Sequence, residues 1–106
     1  MIDAYGADAA LLDNGPALAR ILRAAVQNVG ATVLQTHIEQ FEPQGATVVL
    51  VLAESHASLH TYPEHGVYMA DVFTCGDVSP EDAAREIAAA LGGTATVQTI
   101  ARGRQW

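Results

Sequence analysis

A two-layer α/β sandwich, with a mainly antiparallel sheet covered on one face by two helices, is the fold this sequence predicts. Three observations point to it. Leu18, Ile21, Leu22 and Ala25 recur at helical spacing, so the segment around them has one apolar face. Ser79-Pro80-Glu81-Asp82 opens a second helix with a capping serine, a first-turn proline and two acids at the positive end of the dipole. The stretches between and around these helices are short, rich in strand-forming residues and broken by glycine or proline. In 106 residues, a length suited to one domain, the compact way to bury two one-sided helices is against a shared sheet.

Taken in order, Met1–Tyr5 reads as a short strand, followed by a loop through Asp13-Asn14-Gly15. The first helix is expected from about Pro16 to Asn28 and stops at Gly30. Residues 31–41 alternate partially and read as a strand, and Glu42-Pro43-Gln44-Gly45 reads as a turn. Thr47–Leu52 is a nearly continuous apolar run, which predicts a strand central in its sheet or buried on both faces. No strand is assigned to the histidine-rich stretch after Leu52, and the next one is expected over Val67–Thr74. The second helix runs to about Leu91, Gly92-Gly93 ends it, and Thr94–Ala101 supplies the last strand before a basic, frayed tail at Arg102-Gly103-Arg104. The predicted order is strand, helix, three strands, helix, strand.

Twelve acidic against five basic residues give a formal charge of −7, the wrong sign for a nucleic-acid surface and a better match to a cationic small molecule. No run approaches the roughly 18 apolar residues of a membrane helix, and no export signal is visible, so a cytoplasmic protein with no membrane or nucleic-acid partner is expected. A lone Cys75 forms no internal disulfide, which suits a reducing compartment and leaves the thiol for packing or chemistry. His37 and His65 have no cysteine or carboxylate at metal-binding spacing, so no metal is expected.

The residues that carry chemistry lie in Glu54-Ser55-His56-Ala57-Ser58-Leu59-His60 and, further on, Phe73-Thr74-Cys75-Gly76. A serine that follows a strand can attack the carbonyl of the residue before it if the turn is strained and a base is near. Each group taken singly has a plain reading: a turn serine, a satisfied histidine, a small buried thiol. The joint spacing is what singles them out, with His60 five residues after Ser55 and Cys75 twenty after it. His56 reads as structural or local to the turn.

Glu54-Ser55-His56, then His60-Thr61-Tyr62-Pro63-Glu64, then Phe73-Thr74-Cys75-Gly76 resembles the short prokaryotic class of the S-adenosylmethionine decarboxylase proenzymes, pyruvoyl-dependent enzymes of polyamine synthesis. The likeness extends through Gly30-Ala31-Thr32 and Phe41-Glu42-Pro43-Gln44-Gly45, so it covers most of the chain. It implies the same two-layer fold, paired into a homodimer whose active sites use both protomers. It also implies cleavage between Glu54 and Ser55 into chains 1–54 and 55–106, with Ser55 becoming a covalent pyruvoyl group. That ketone condenses with a substrate α-amine and draws electrons as CO2 departs. By the same resemblance His60 assists breakdown of the ester intermediate, and Cys75 protonates the decarboxylated carbon. Phe41 matches a position that stacks on adenine, Glu64 one that binds the ribose hydroxyls, and Thr47 a serine that helps polarise the cleaved carbonyl.

The chain departs from that pattern in three places. Its first strand starts later than the usual Gly-Arg-His word, Tyr62 stands for a tryptophan, and Ile38-Glu39-Gln40 stands before the stacking Phe41. Glu39 beside a smaller aromatic suits a guanidinium or ammonium tail, so decarboxylation of arginine or ornithine by the same pyruvoyl chemistry stays open as an alternative to S-adenosylmethionine. A third reading is an uncleaved, non-catalytic homologue that regulates a partner; the complete set of Ser55, His60 and Cys75 speaks against it.

Overall fold

A computed structural model describes residues 1–75 and 78–102. Gly76, and Gly103 and Arg104 of the expected tail, lie outside the described residues. Six strands form one antiparallel sheet: β1 (Ile2–Tyr5), β2 (Val33–Gln40), β3 (Ala46–Leu52), β4 (Ser55–Tyr62), β5 (Val67–Phe73) and β6 (Thr94–Val97). Their spatial order is β2-β3-β4-β5-β1-β6. The helices are α1 (Ala9–Leu12), α2 (Gly15–Asn28) and α3 (Pro80–Leu91), and a single 3-10 turn at Pro63–His65 joins β4 to β5.

Local chemistry accounts for the helices. Asn14 caps α2 by accepting from the Ala17 N–H at 3.1 Å, Pro16 lies in the first turn, and Leu18, Leu22, Ala25 and Val26 form its buried stripe. Ser79 caps α3 through the Asp82 N–H at 3.3 Å, and Ala83, Ile87 and Leu91 face inward. α2 lies on β2, β3 and β4, while α3 lies on β5, β1 and β6 and against α2. Leu18, Leu22, Val48, Leu50, Leu59 and Ile87 fill the layer between helices and sheet. The architecture is therefore the expected two-layer sandwich with both long helices on one face.

Four details differ from expectation. The histidine-rich stretch is a strand: Ala57, Leu59 and Thr61 point to the helices while His56, Ser58, His60 and Tyr62 point away, a period of two that the polar side chains disguise. Three strands between the helices thus become four. β3 is central in the sheet, between β2 and β4, as one reading of its apolar run had it, but it is buried on one face only, with Ala46, Val48, Leu50 and Leu52 inside and Val51 42% exposed, because helices cover one side of this antiparallel sheet. The expected loop after β1 contains α1, capped by Asp8, whose carboxylate accepts from the Ala10 N–H at 3.3 Å. β6 ends at Val97, although the Gln98 N–H still reaches the Met1 carbonyl at 2.9 Å.

Residues directly opposite on neighbouring strands share a face. Glu39 pairs with Thr47, Thr47 with His60 and His60 with Met69, so all four stand on the sheet face that no helix covers. His56 and Phe73 pair on that same face.

Candidate active site

The β3–β4 hairpin carries the Glu54–Ser55 bond, where the sequence predicts cleavage. Leu52 pairs with Ser55, leaving Ala53 and Glu54 as a two-residue connection. Such hairpins are relaxed when the connecting residues themselves take positive φ, which matches the twist of the strands. Here neither does; Ser55, at the first position of β4, takes φ +153° and is the only described residue other than glycine with a positive φ. A side chain in that region is strained by the order of 1–3 kcal/mol. The turn is held from outside: the Ala53 N–H donates to the Thr32 carbonyl at 2.9 Å, and the Glu54 carboxylate accepts from the Thr32 N–H at 3.0 Å. Thr32, through both its backbone groups, thus braces the turn that holds the Glu54–Ser55 bond.

Two further groups meet that bond. The Cys75 thiol, on the loop after β5, donates to the Glu54 carbonyl oxygen at 3.3 Å. Ser55 Oγ lies 3.2 Å from His56 Nδ1. Neighbouring strand residues ordinarily point to opposite faces, so period-two reasoning hides the second contact; the unusual φ of Ser55 is what allows it. The His56 ring meets Phe73 edge-on, with centroids 5.7 Å apart at 65°, and the Arg102 guanidinium stands 4.8 Å over the Phe73 ring. Beyond His56 and Phe73 opens a cavity of about 450 Å³, walled by Asp71, Glu81, Thr99 and Arg102 among others.

The remaining candidates form a second group. His60 Nδ1 lies 2.9 Å from Thr47 Oγ1, its cross-strand partner. His60 lies five positions after Ser55, about 16 Å along β4, so the two do not meet within one protomer. Glu39 stands on the other side of Thr47 in the sheet and approaches His37 Nε2 at 3.4 Å. Phe41 follows β2 with its N–H bonded to the Gly45 carbonyl at 2.8 Å, Tyr62 ends β4, and Glu64 sits in the 3-10 turn. All three are at the far end of the sheet from Ser55, and Phe41 and Tyr62 are 48% and 41% exposed.

Among the described residues there is no cluster of three or more histidine, cysteine or carboxylate groups able to hold a metal. Around the Glu54–Ser55 bond the structure gathers a serine hydroxyl beside an imidazole and a thiol that donates to the Glu54 carbonyl.

Comparison with known proteins shows the family. Residues 1–103 match the family model described as S-adenosylmethionine decarboxylase. An S-adenosylmethionine decarboxylase proenzyme of Aquifex aeolicus is 47% identical over 79 residues, which are 74% of this chain and 58% of that protein. The proenzyme of Methanococcus maripaludis strain S2 is 44% identical over 88 residues, 82% of this chain and 72% of that one. The chain thus covers little more than half the length of the Aquifex relative. The crystal structure of the adenosylmethionine decarboxylase from Aquifex aeolicus superposes with a TM-score of 0.81 at 35% identity, covering 98% of this chain and 91% of that one. With sequence and fold matched across nearly all of its length, the chain belongs to the S-adenosylmethionine decarboxylase family.

Proposed function

We propose that the protein is a self-processing, pyruvoyl-dependent decarboxylase of S-adenosylmethionine, acting in the cytoplasm in polyamine synthesis. Its single domain is cut between Glu54 and Ser55 into chains 1–54 and 55–106. The observation that carries the reading is the Cys75 thiol on the Glu54 carbonyl at 3.3 Å, directly before a serine held at φ +153°. A hydrogen bond to that carbonyl makes its carbon a better electrophile, and the strain at Ser55 is relieved when the peptide bond opens.

Ser55 Oγ attacks the Glu54 carbonyl carbon and converts the amide to an ester. Loss of the Cα proton of residue 55 then expels the Glu54 carboxylate, and hydrolysis of the resulting dehydroalanine leaves pyruvoyl and ammonia. That pyruvoyl group supplies the electron sink for loss of CO2. Cys75, already beside this bond, delivers the proton that the decarboxylated carbon needs. The low-redox cytoplasm keeps that thiol free.

Reach within one protomer supports a homodimer. His60, held by Thr47, lies about 16 Å along the strand from Ser55, and Phe41, Tyr62 and Glu64 lie farther still. A second copy laid across the uncovered sheet face brings its own Thr47, His60, Phe41, Tyr62 and Glu64 toward Ser55. That face exposes Val51, Tyr62 and Met69, apolar groups that a partner would cover. Phe41 and Tyr62 then receive the adenine, Glu64 the ribose hydroxyls, and His60 acts on the ester.

Decarboxylation of arginine or ornithine is the second reading, and Glu39 beside Thr47 and His60 favours it. That carboxylate already faces His37, and Phe41 and Glu64 are the groups an adenosine needs. Denatured intact mass of fresh protein tests the processing: two fragments meeting at Glu54 and Ser55 are expected, and one uncleaved chain would overturn it. CO2 release from the three substrates assigns the reaction; release from arginine or ornithine alone would reject S-adenosylmethionine.

A further inference from the structure

Building on the self-processing reading, we infer that His56 is the catalytic base of the first step, the group that takes the proton from Ser55 as the amide becomes an ester. The contact is direct: His56 Nδ1 lies 3.2 Å from Ser55 Oγ. His60 is not placed for that task within the protomer, and its own Nδ1 is engaged by Thr47 Oγ1 at 2.9 Å. His56 is also held in position. Its ring stands edge-on to Phe73 at 5.7 Å, and the Arg102 guanidinium braces Phe73 at 4.8 Å. A neutral imidazole with its proton on Nε2 offers Nδ1 as the acceptor this contact requires.

The step balances with no outside reagent. The Ser55 hydroxyl proton passes to His56 Nδ1, and an Oγ lone pair bonds to the Glu54 carbonyl carbon. The carbonyl π pair moves onto the oxygen that the Cys75 thiol already contacts. When that oxygen re-forms its double bond, the C–N bond breaks and its electron pair stays on the Ser55 nitrogen. The nitrogen then recovers the proton from Nδ1. An amide has become an ester, with no atom gained or lost. His60 acts afterwards, on the ester, so the two histidines divide the processing between them.

Hydroxylamine separates these stages, because it cuts an ester at Glu54 and leaves an amide intact. Wild type, His56→Ala, His56→Asn and His60→Ala are followed by denatured mass after synthesis, with and without hydroxylamine. His56→Ala is expected to cleave about 100-fold more slowly or worse, the scale of a lost general base, and to give no hydroxylamine-sensitive ester. His60→Ala is expected to accumulate that ester. Added imidazole enters through the cavity of about 450 Å³ beside His56 and restores cleavage to His56→Ala, which loss of a purely structural ring would not allow. His56→Asn keeps a polar group near Nδ1 without a base and covers the case in which the alanine variant fails to fold; it too is expected to stay intact. Cleavage of either His56 variant within threefold of wild type would overturn the inference, as would ester accumulation in His56→Ala. A wild-type chain that stays whole, with no ester, would instead overturn the self-processing reading and this inference with it.

Discussion

Two hairpins reverse the chain on either side of β3, and they solve the same problem with opposite residues. The β2–β3 turn places Gly45 at φ +98°, where a side chain would be strained and a Cβ would come within 3.1 Å of the Thr61 carbonyl. It is tied down as well: the Gly45 N–H reaches Asp13 Oδ1 at 2.8 Å, and Gln40 Nε2 donates to the Gly45 carbonyl at 3.0 Å. The β3–β4 turn has no glycine, and its positive φ falls on Ser55. One turn spends a glycine to be relaxed. The other retains strain at the proposed nucleophile, next to the thiol that donates to the Glu54 carbonyl.

Substitutions that exchange the two solutions test this contrast. The largest effect belongs to Ser55→Ala, which keeps the Cβ and its strain but removes the nucleophile; no fragments are expected in a denatured mass spectrum, and any cleavage at Glu54 would contradict the assignment of Ser55. Cys75→Ala is expected to lower turnover of processed enzyme by about 100-fold, the scale of a lost proton donor, measured as CO2 released per pyruvoyl-bearing chain. An unchanged rate there would take the thiol out of the reaction.

Stability effects come next. Thr61 supports the relaxed hairpin from β4, since its hydroxyl accepts from the Ala46 N–H at 2.9 Å and donates to the Leu12 carbonyl at 2.7 Å. Thr61→Val leaves both buried groups unpaired and is expected to cost about 2 kcal/mol in urea unfolding at fixed protein concentration. Gly45→Ala is expected to cost about 1–2 kcal/mol in the same assay, because an L side chain pays that much for left-handed backbone. The smallest effect is the most pointed. Ser55→Gly and Ser55→Ala are both uncleaved, yet glycine relieves the strain, so Ser55→Gly is expected to be the more stable by about 1 kcal/mol. Equal stabilities would mean that the cleavage hairpin stores no strain.

The helices and most strands were legible in the chain because their signals are local. Asn14, Pro16 and Ser79 mark helix starts, and the apolar stripes repeat every three or four residues. β4 is not legible in the same way, since its outward positions are two histidines, a serine and a tyrosine, which read as chemistry rather than as the polar half of a strand. The continuous apolar run of β3 suggested a strand central in its sheet or buried on both faces; it is central, and Val49 and Val51 belong to the side without helices.

For the site, the words around Ser55, His60 and Cys75 were enough to raise self-cleavage and to name the residues worth watching. Sequence by itself determined which reactive groups exist and how far apart they stand along the chain. Only the tertiary structure decided which of them meet. Register pairs Thr47 with His60 and separates both from Ser55, the loop after β5 carries the Cys75 thiol to the Glu54 carbonyl, and one backbone angle turns the Ser55 hydroxyl onto His56. The physical reason is that side-chain type and period are written along the chain, whereas contact between residues twenty apart depends on how strands align and how tightly a turn is wound.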